Sequence, residues 1–276
     1  MDRRSFFKYS VYTYLTPRMK NRRPDLTTED RFKMLSKSLW IWCTPKTRLT
    51  DLSMFALKFG FNPIYLSLPD DIDLYRTRMT ILQMKRAGQT VYLAGGSPQW
   101  IHQDAAENQF ENLIEKSNLI HMSGIALDIE PQATTAWNSI DKISIANKYN
   151  ELMQKIEKIS TSKNIPLVAT AIPEYKNIKM KNGLTLLESI SEKVQFLVLM
   201  AYKRSLTGVN HSTWESIKEL EKKAVPFWFG VNIYNNEKNY PDIMESSVML
   251  NEALKHNKGF MGIAFNDYSS IRKYLS

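Results

Sequence analysis

Short apolar runs alternate with longer amphipathic segments from residue 38 to residue 275 of the chain. The runs are rich in Val, Ile, Leu and aromatic residues, and several open with Pro or Gly, as is common for strands buried in a parallel sheet. They cover residues 38–43, 62–68, 90–95, 124–130, 166–172, 195–202, 226–233 and 259–266. The pattern therefore predicts eight strands.

Between these runs, apolar residues recur at the three- and four-residue spacing of a helix with one buried face. Leu152, Ile156 and Ile159, with Lys155 and Lys158 between them, show this spacing clearly. We predict helices over residues 49–59, 71–87, 105–117, 140–162, 184–192, 212–223 and 246–256.

Eight strand–helix repeats with short connections predict an α/β fold, the (β/α)8 TIM barrel, in preference to an open doubly wound sheet. The repeats show no break in composition, so we predict a single barrel domain over residues 38–275. No Gly-x-Gly-x-x-Gly follows the first strand, which argues against a dinucleotide-binding fold. The chain also lacks a Walker-type phosphate loop and a Gly-x-Ser-x-Gly elbow, which argues against nucleotide hydrolysis and serine-hydrolase chemistry.

The fourth run ends in two carboxylates, which a buried strand does not ordinarily contain. Residues two apart on a strand point to the same face, so Asp128 and Glu130 should project together. Two like charges held close together raise the pKa of at least one of them, which keeps a carboxylic acid protonated near neutral pH. Pro131 then ends the strand. A solvated acidic loop is the alternative, but polar residues also end the other strands, so we favour a catalytic pair.

Barrel enzymes carry their chemistry where the strands end at the C-terminal face. Carboxylates, amides and aromatic rings at these positions have the composition of a sugar-binding cleft, because aromatic faces stack on pyranose rings and the polar groups bind hydroxyls. Core or rim packing is the alternative for each aromatic residue taken alone. The predicted substrate-binding residues are Trp42, Trp100, Glu174, Asn232, Asn266 and Asp267.

The composition is that of an ordinary globular protein, with 43% hydrophobic and 24% charged residues. A net charge of +9 favours anionic partners, but seven of the positive charges lie within residues 3–23 and the rest are dispersed, so we predict no nucleic-acid binding. No apolar run reaches the ~18 residues that a transmembrane helix needs. The sequence leaves the oligomeric state open.

Cysteine and histidine usage argues against disulfide and metal chemistry. Cys43 is the single cysteine, and the four histidines show no metal-ligand spacing. We therefore predict no metal and no other cofactor.

Residues 1–30 form a basic extension that we exclude from the barrel. Residues 3–8, Arg-Arg-Ser-Phe-Phe-Lys, resemble the twin-arginine export motif. The apolar segment that should follow is short and rich in tyrosine, so this is either a degenerate or uncleaved signal or a basic amphipathic start that arises by chance. Export to the periplasm or cell surface through Arg3 and Arg4, and a cytoplasmic location, are both left open.

Three segments of the chain resemble the chitinase-type glycoside hydrolases, which are (β/α)8 barrels. They are Asp-Ile-Glu at 128–130, Met-Ala-Tyr at 200–202 and the eighth apolar run. Those enzymes end the fourth strand with Asp-x-x-Asp-x-Asp-x-Glu; this chain keeps the last Asp-x-Glu, and the stretch before it holds Gly124 and Ala126. The chain is also similar to a group of bacterial glycosidase-like barrel proteins. They share its Leu-Trp-Ile-Trp opening at 39–42, its Gly-Ile-Ala-Leu-Asp-Ile-Glu-Pro at 124–131 and its Met-Ala-Tyr segment.

The resemblance implies a glycan substrate and three catalytic roles. In chitinase-type enzymes a glutamate protonates the glycosidic oxygen, and the substrate's own N-acetyl group acts as the nucleophile. By this resemblance Glu130 is the general acid, Asp128 the orienting carboxylate and Tyr202 the stabilising hydroxyl. The enzymatic alternative is a two-carboxylate mechanism with Glu174 or Asp267 as the second partner. The alternative from another class is a carbohydrate-binding barrel without catalysis.

Overall fold

A computed structural model of the protein describes residues 26–138, 142–201, 211–233 and 243–275. Eight parallel strands follow one another in chain order and close into a barrel, which confirms the predicted TIM-barrel fold. The strands are β1 (Lys37–Trp42), β2 (Phe61–Ser67), β3 (Val91–Gly95), β4 (Gly124–Leu127), β5 (Leu167–Ala171), β6 (Phe196–Met200), β7 (Phe227–Asn232) and β8 (Phe260–Asn266).

Helices surround the barrel and connect its strands. In the described part of the chain they are α1 (Thr28–Lys33), α2 (Leu49–Phe59), α3 (Leu74–Arg86), α4 (Ala106–Leu119), α5 (Lys142–Ser162), α6 (Leu186–Ser191), α7 (His211–Lys222), α8 (Ile243–Leu254) and α9 (Tyr268–Leu275). Short 3-10 helices lie at Pro98–His102, Pro131–Ala133, Thr135–Asn138 and Pro173–Asn177. The first and the last α-helix were not among the predicted ones. No helix in the described ranges is long and apolar enough to cross a membrane.

Helix α2 shows how the local sequence sets an element. Its residues Leu52, Phe55, Ala56 and Phe59 are buried, and their spacing places them on the side that packs against the sheet. The helix ends at Gly60, which adopts a left-handed conformation at φ 71° that other residues rarely take. The apolar spacing and this glycine are both visible in the sequence, which is why the predicted and observed bounds agree.

The barrel interior is filled mainly by aromatic and small apolar side chains. Trp228 belongs to this inner cluster, although its position between two phenylalanines leaves its direction ambiguous in the sequence. A larger apolar core lies outside the strands, between the sheet and the helices. The members of the inner cluster are Trp40, Tyr65, Tyr92, Ala94, Ala126, Val168, Phe196, Val198, Trp228 and Ala264.

Lys37 connects α1 to the start of β1. Its side chain is fully buried, and its Nζ donates hydrogen bonds to the carbonyl oxygens of Phe32 (2.7 Å), Lys33 (3.0 Å) and Leu35 (3.0 Å). Burial lowers the pKa of Lys37 to about 8, while the three carbonyl contacts favour its charged form. Helix α1 begins within residues 1–30, so the last residues of the segment that we assigned to the extension are helical.

Candidate active site

Asp128 and Glu130 lie just beyond the end of β4, where the chain leaves the barrel. The strand ends at Leu127, so the predicted strand end at residue 130 is wrong. The Asp128 N–H still donates to the Gly95 carbonyl at 2.8 Å, and the 3-10 helix that opens with Pro131 follows Glu130. Proline fixes its own φ and cannot donate a ladder hydrogen bond, so Pro131 suits the first position of this 3-10 helix.

Asp128 is largely buried and has one defined hydrogen-bond donor among the described residues. The Thr170 hydroxyl of β5 donates to Asp128 Oδ1 at 2.8 Å. Burial raises the pKa of Asp128, and the hydrogen bond from Thr170 opposes that rise because it favours the charged carboxylate. The arrangement supports an anion at Asp128 in an otherwise poorly solvated place.

Glu130 has the more perturbed carboxyl group of the two. Its pKa is raised to about 7, first by burial and second by the negative charge of Asp128, while a hydrogen bond from Gln132 lowers it. Two neighbouring carboxyl groups of unequal acidity share one proton over the intervening pH range. A pKa of about 7 leaves Glu130 partly protonated near neutral pH, beside an Asp128 carboxyl group that accepts a hydrogen bond from Thr170, and such a proton donor is suited to acid catalysis.

Two residues that the sequence did not single out contact Glu130 directly or through one intermediate. Gln132 Nε2 donates to Glu130 Oε2 at 2.6 Å, and the hydroxyl of Tyr175 donates to Gln132 Oε1 at 2.7 Å. Tyr175 is fully buried in the 3-10 helix after β5. The contact between Gln132 and Glu130 could have been predicted, because the two residues are only two positions apart. The contact between Tyr175 and Gln132 joins residues 43 positions apart, so no local sequence pattern predicts it.

Trp42 and Asn266 form a second part of the barrel mouth. Trp42 Nε1 donates to Asn266 Oδ1 at 3.0 Å, and the Trp42 ring is stacked on Trp40 with centroids 5.8 Å apart. Trp42 is 43% exposed, so an aromatic surface is open to a ligand at the end of β1. Asn232 pairs in register with Asn266 between β7 and β8, so the two predicted amides are neighbours.

Three other predicted site residues are placed less favourably for binding. Trp100 is only 7% exposed because its 3-10 helix turns the ring into the outer core, which argues against a stacking surface. Asp267 Oδ1 accepts from Ser269 Oγ at 2.7 Å and from the Ser270 N–H at 2.9 Å, so this carboxylate caps helix α9. Glu174 is half-buried beside Tyr175. The predicted catalytic Tyr202 lies outside the described residues.

Cysteine and metal chemistry receive no support from the described part of the protein. Burial raises the pKa of the Cys43 thiol to about 12, so its thiolate is scarce near neutral pH. No group of three His, Cys, Asp or Glu residues in the described ranges is arranged to hold a metal ion.

Comparison with known proteins finds a similarity of structure. No protein-family model matches the sequence, and no curated protein is significantly similar to it. A chitinase of glycosyl hydrolase family 18 from Pseudoalteromonas aurantia superimposes with a TM-score of 0.60 at 16% identity, covering 85% of this chain and 94% of that one. This chain has the fold of the chitinase-type glycoside hydrolases.

Two endo-β-N-acetylglucosaminidases share this chitinase-type fold. The enzyme from Cordyceps militaris superimposes with a TM-score of 0.54 at 12% identity, covering 93% of this chain and 85% of that one. A fungal enzyme of glycosyl hydrolase family 18 superimposes with a TM-score of 0.56 at 11% identity, covering 85% and 90%. At such low sequence identities these comparisons show a shared fold and nothing further.

Packing explains why the chitinase-type motif is incomplete in this chain. Counted back from Glu130, the motif's earlier aspartates fall at Ser123, whose Oγ accepts from the Val91 N–H at 3.2 Å, and at Ala126, which is fully buried in the inner cluster. At Gly124 an added Cβ would press on the Pro166 carbonyl and lie 2.9 Å from the Tyr92 ring. Apolar packing thus fills the space below Asp128.

Proposed function

We propose that this protein is a glycoside hydrolase in which Glu130 protonates the glycosidic oxygen and Asp128 orients and stabilises the reacting group. The observation that carries the proposal is the carboxyl pair at the barrel mouth, where burial and the neighbouring Asp128 raise the pKa of Glu130 to about 7. A proton donor with a pKa near the working pH combines the correct protonation state with an adequate driving force for proton transfer.

The proposed substrate is a glycan that contains a β-linked N-acetylamino sugar. In the chitinase-type mechanism the substrate's N-acetyl group is the nucleophile, so the protein supplies one acid and one orienting anion, and no second catalytic carboxylate is required. Of the two candidate second carboxylates, Asp267 caps helix α9, which counts against its use in a two-carboxylate mechanism. The exposed ring of Trp42 offers a face on which a sugar ring could stack, and Asn266 Oδ1 holds that ring by accepting a hydrogen bond at its edge.

The test is Glu130→Gln, which removes the titratable proton and keeps the shape of the side chain. General acid catalysis is worth about 10²–10⁴-fold, so kcat on a cleavable N-acetylamino-sugar oligosaccharide should fall by about that factor, with a smaller change in binding of the uncleaved glycan. Glu174→Gln makes the same change at the half-buried glutamate that a two-carboxylate mechanism would use as its second partner, so it separates the two mechanisms. It should leave kcat close to the wild-type value.

A panel of N-acetylamino-sugar and neutral oligosaccharides distinguishes the proposed mechanism from the two-carboxylate mechanism and from a carbohydrate-binding barrel. If both glutamine variants lose turnover to a similar extent, a two-carboxylate mechanism replaces the proposed one. If the wild type binds glycan without cleaving any member of the panel, the protein is a carbohydrate-binding barrel. If Glu130→Gln cleaves the same oligosaccharides as fast as the wild type, Glu130 is not the general acid.

A further inference from the structure

We propose that Gln132 and Tyr175 are positioning residues that hold the Glu130 carboxyl group and determine which of its two oxygens carries the catalytic proton. The inference rests on the proposed function of Glu130 and extends it to two residues outside the carboxyl pair. It is carried by a continuous chain of hydrogen bonds from the Tyr175 hydroxyl through the Gln132 amide to Glu130 Oε2.

The direction of the chain follows from its donors and acceptors. The Tyr175 hydroxyl donates to Gln132 Oε1, which turns the amide nitrogen of Gln132 toward the carboxyl group. An amide nitrogen donates and does not accept, so Glu130 Oε2 is held as an acceptor. The transferable proton must then reside on Glu130 Oε1, and the chain keeps that oxygen available for the glycosidic oxygen of a substrate.

Packing around Tyr175 makes this chain rigid. The ring is fully buried, with the Trp137 ring centroid 5.8 Å away on one side and the Tyr149 ring centroid 6.2 Å away on another. Gln132 sits in the turn that Pro131 opens, so its backbone is restrained as well. A side chain whose partners are fixed loses little further freedom on catalysis, which is how a carboxyl group is kept in a productive position.

The charged and polar groups around Glu130 set its pKa, and Gln132 is one of the groups that change it. Asp128 raises the pKa of Glu130, and the buried phenols of Tyr149 and Tyr175 lie near both carboxyl groups. Glu174 flanks Tyr175, and Lys142 lies over the Trp137 ring at 5.0 Å. The hydrogen bond from Gln132 is the one described contact that lowers the pKa of Glu130, so its removal should raise that pKa.

The experiment measures the Glu130 titration midpoint by carbon-13 NMR of the side-chain carboxyl, with its signal assigned by its loss in Glu130→Gln. Gln132→Met keeps the length of the side chain and removes the donor. Because the lost hydrogen bond favours the charged carboxylate, the Glu130 titration midpoint should rise by about one pH unit or more. Tyr175→Phe removes the anchor of the amide and should raise the midpoint in the same direction by less.

Tyr149→Phe is the matched control, because Tyr149 is an equally buried phenol in the same aromatic cluster and its hydroxyl has no hydrogen-bond partner among the described residues. The Glu130 titration midpoint of Tyr149→Phe should equal that of the wild type. An unchanged midpoint in Gln132→Met, or equal changes in Tyr149→Phe and Tyr175→Phe, would overturn the inference. The titration midpoints are measured without substrate. If the wild type cleaves no glycan, the proposed function is wrong, but the effect of Gln132 on the pKa of Glu130 is still measured. In an active enzyme, Gln132→Met should also lower kcat about 10- to 100-fold.

Discussion

Removing the negative charge beside the proposed acid should move the pH range in which the enzyme works. A general acid at Glu130 acts only while it carries a proton, so under the proposed function turnover should fall as the pH rises through its pKa of about 7. That pKa is raised from 4.5 first by burial and second by the charge of Asp128. Asp128→Asn keeps the size of the side chain and removes the second cause.

The size of the effect follows from the spacing of the two residues. As an order of magnitude, residues two apart in the chain carry their charges on the order of 7 Å apart, about twice the rise per residue of an extended backbone. Two unit charges at that distance interact by about 2.4 kcal/mol at an effective dielectric constant of about 20, which corresponds to roughly 1.7 pH units. Partial exposure of Glu130 reduces this value, and burial is the larger cause of the total rise from 4.5 to about 7. A fall of about one pH unit, with the midpoint moving from about 7 to about 6, is the expected result.

The assay is kcat as a function of pH for the wild type and Asp128→Asn on the same oligosaccharide. The high-pH limb, which reports the loss of the Glu130 proton, should move about one unit toward acid. The low-pH limb, which reports ionisation of Asp128, should disappear, and the maximal rate should fall because the orienting anion is gone. A high-pH limb that stays in place or moves to higher pH would refute the electrostatic reasoning, because no anion would then be acting on Glu130.

Three further predictions concern the neighbouring contacts, the stability of the fold and the location of the protein. Thr170→Val removes the hydroxyl that lowers the pKa of the orienting carboxylate, so the low-pH limb of kcat should move to higher pH. Lys37→Met removes a buried side-chain donor to three carbonyl oxygens and should lower the free energy of unfolding by about 2–4 kcal/mol in urea titrations. Lys33→Met, which removes only an exposed ion pair with Glu29 on α1, should leave the urea midpoint close to the wild-type value. We also propose that residues 1–35 direct export: a reporter fused to them should be exported, and lysine at both Arg3 and Arg4 should abolish this, whereas an unchanged location would favour the cytoplasm.

The barrel could be predicted from the sequence because its determinants are local. Each strand is a short apolar run, since strands of a parallel sheet are buried on both faces, and each intervening helix shows one apolar stripe. Helix α9 escaped prediction because it is only eight residues long, about two turns of apolar spacing. Its capping residue, Asp267, was therefore interpreted as a site carboxylate, although a side chain that caps a helix N-terminus is a common role for aspartate.

The carboxyl pair could also be predicted, because two acids at the end of an apolar run conflict with burial and so indicate a function. Its supporting contacts could not, since Gln132 and Tyr175 belong to loops after different strands and only the closed barrel brings them together. Trp100 shows the opposite error. An aromatic residue after a glycine-rich strand end suggests a binding surface, but whether its ring faces a ligand or the core depends on a turn that the sequence does not determine.

The contents of the barrel interior determine how the carboxyl pair behaves. A chain with a carboxylate at position 126 would place a third acid below Asp128 and spread the charge over it. Here Ala126 belongs to the apolar inner cluster that also includes Tyr65, Tyr92 and Trp40, and Asp128 finds its described hydrogen-bond donor in Thr170 of the next strand. Burial, and second the charge of Asp128, raise the pKa of Glu130 to about 7. The aromatic interior therefore favours a two-carboxyl acid site in place of an acidic column, and the pH dependence of Asp128→Asn tests that consequence directly.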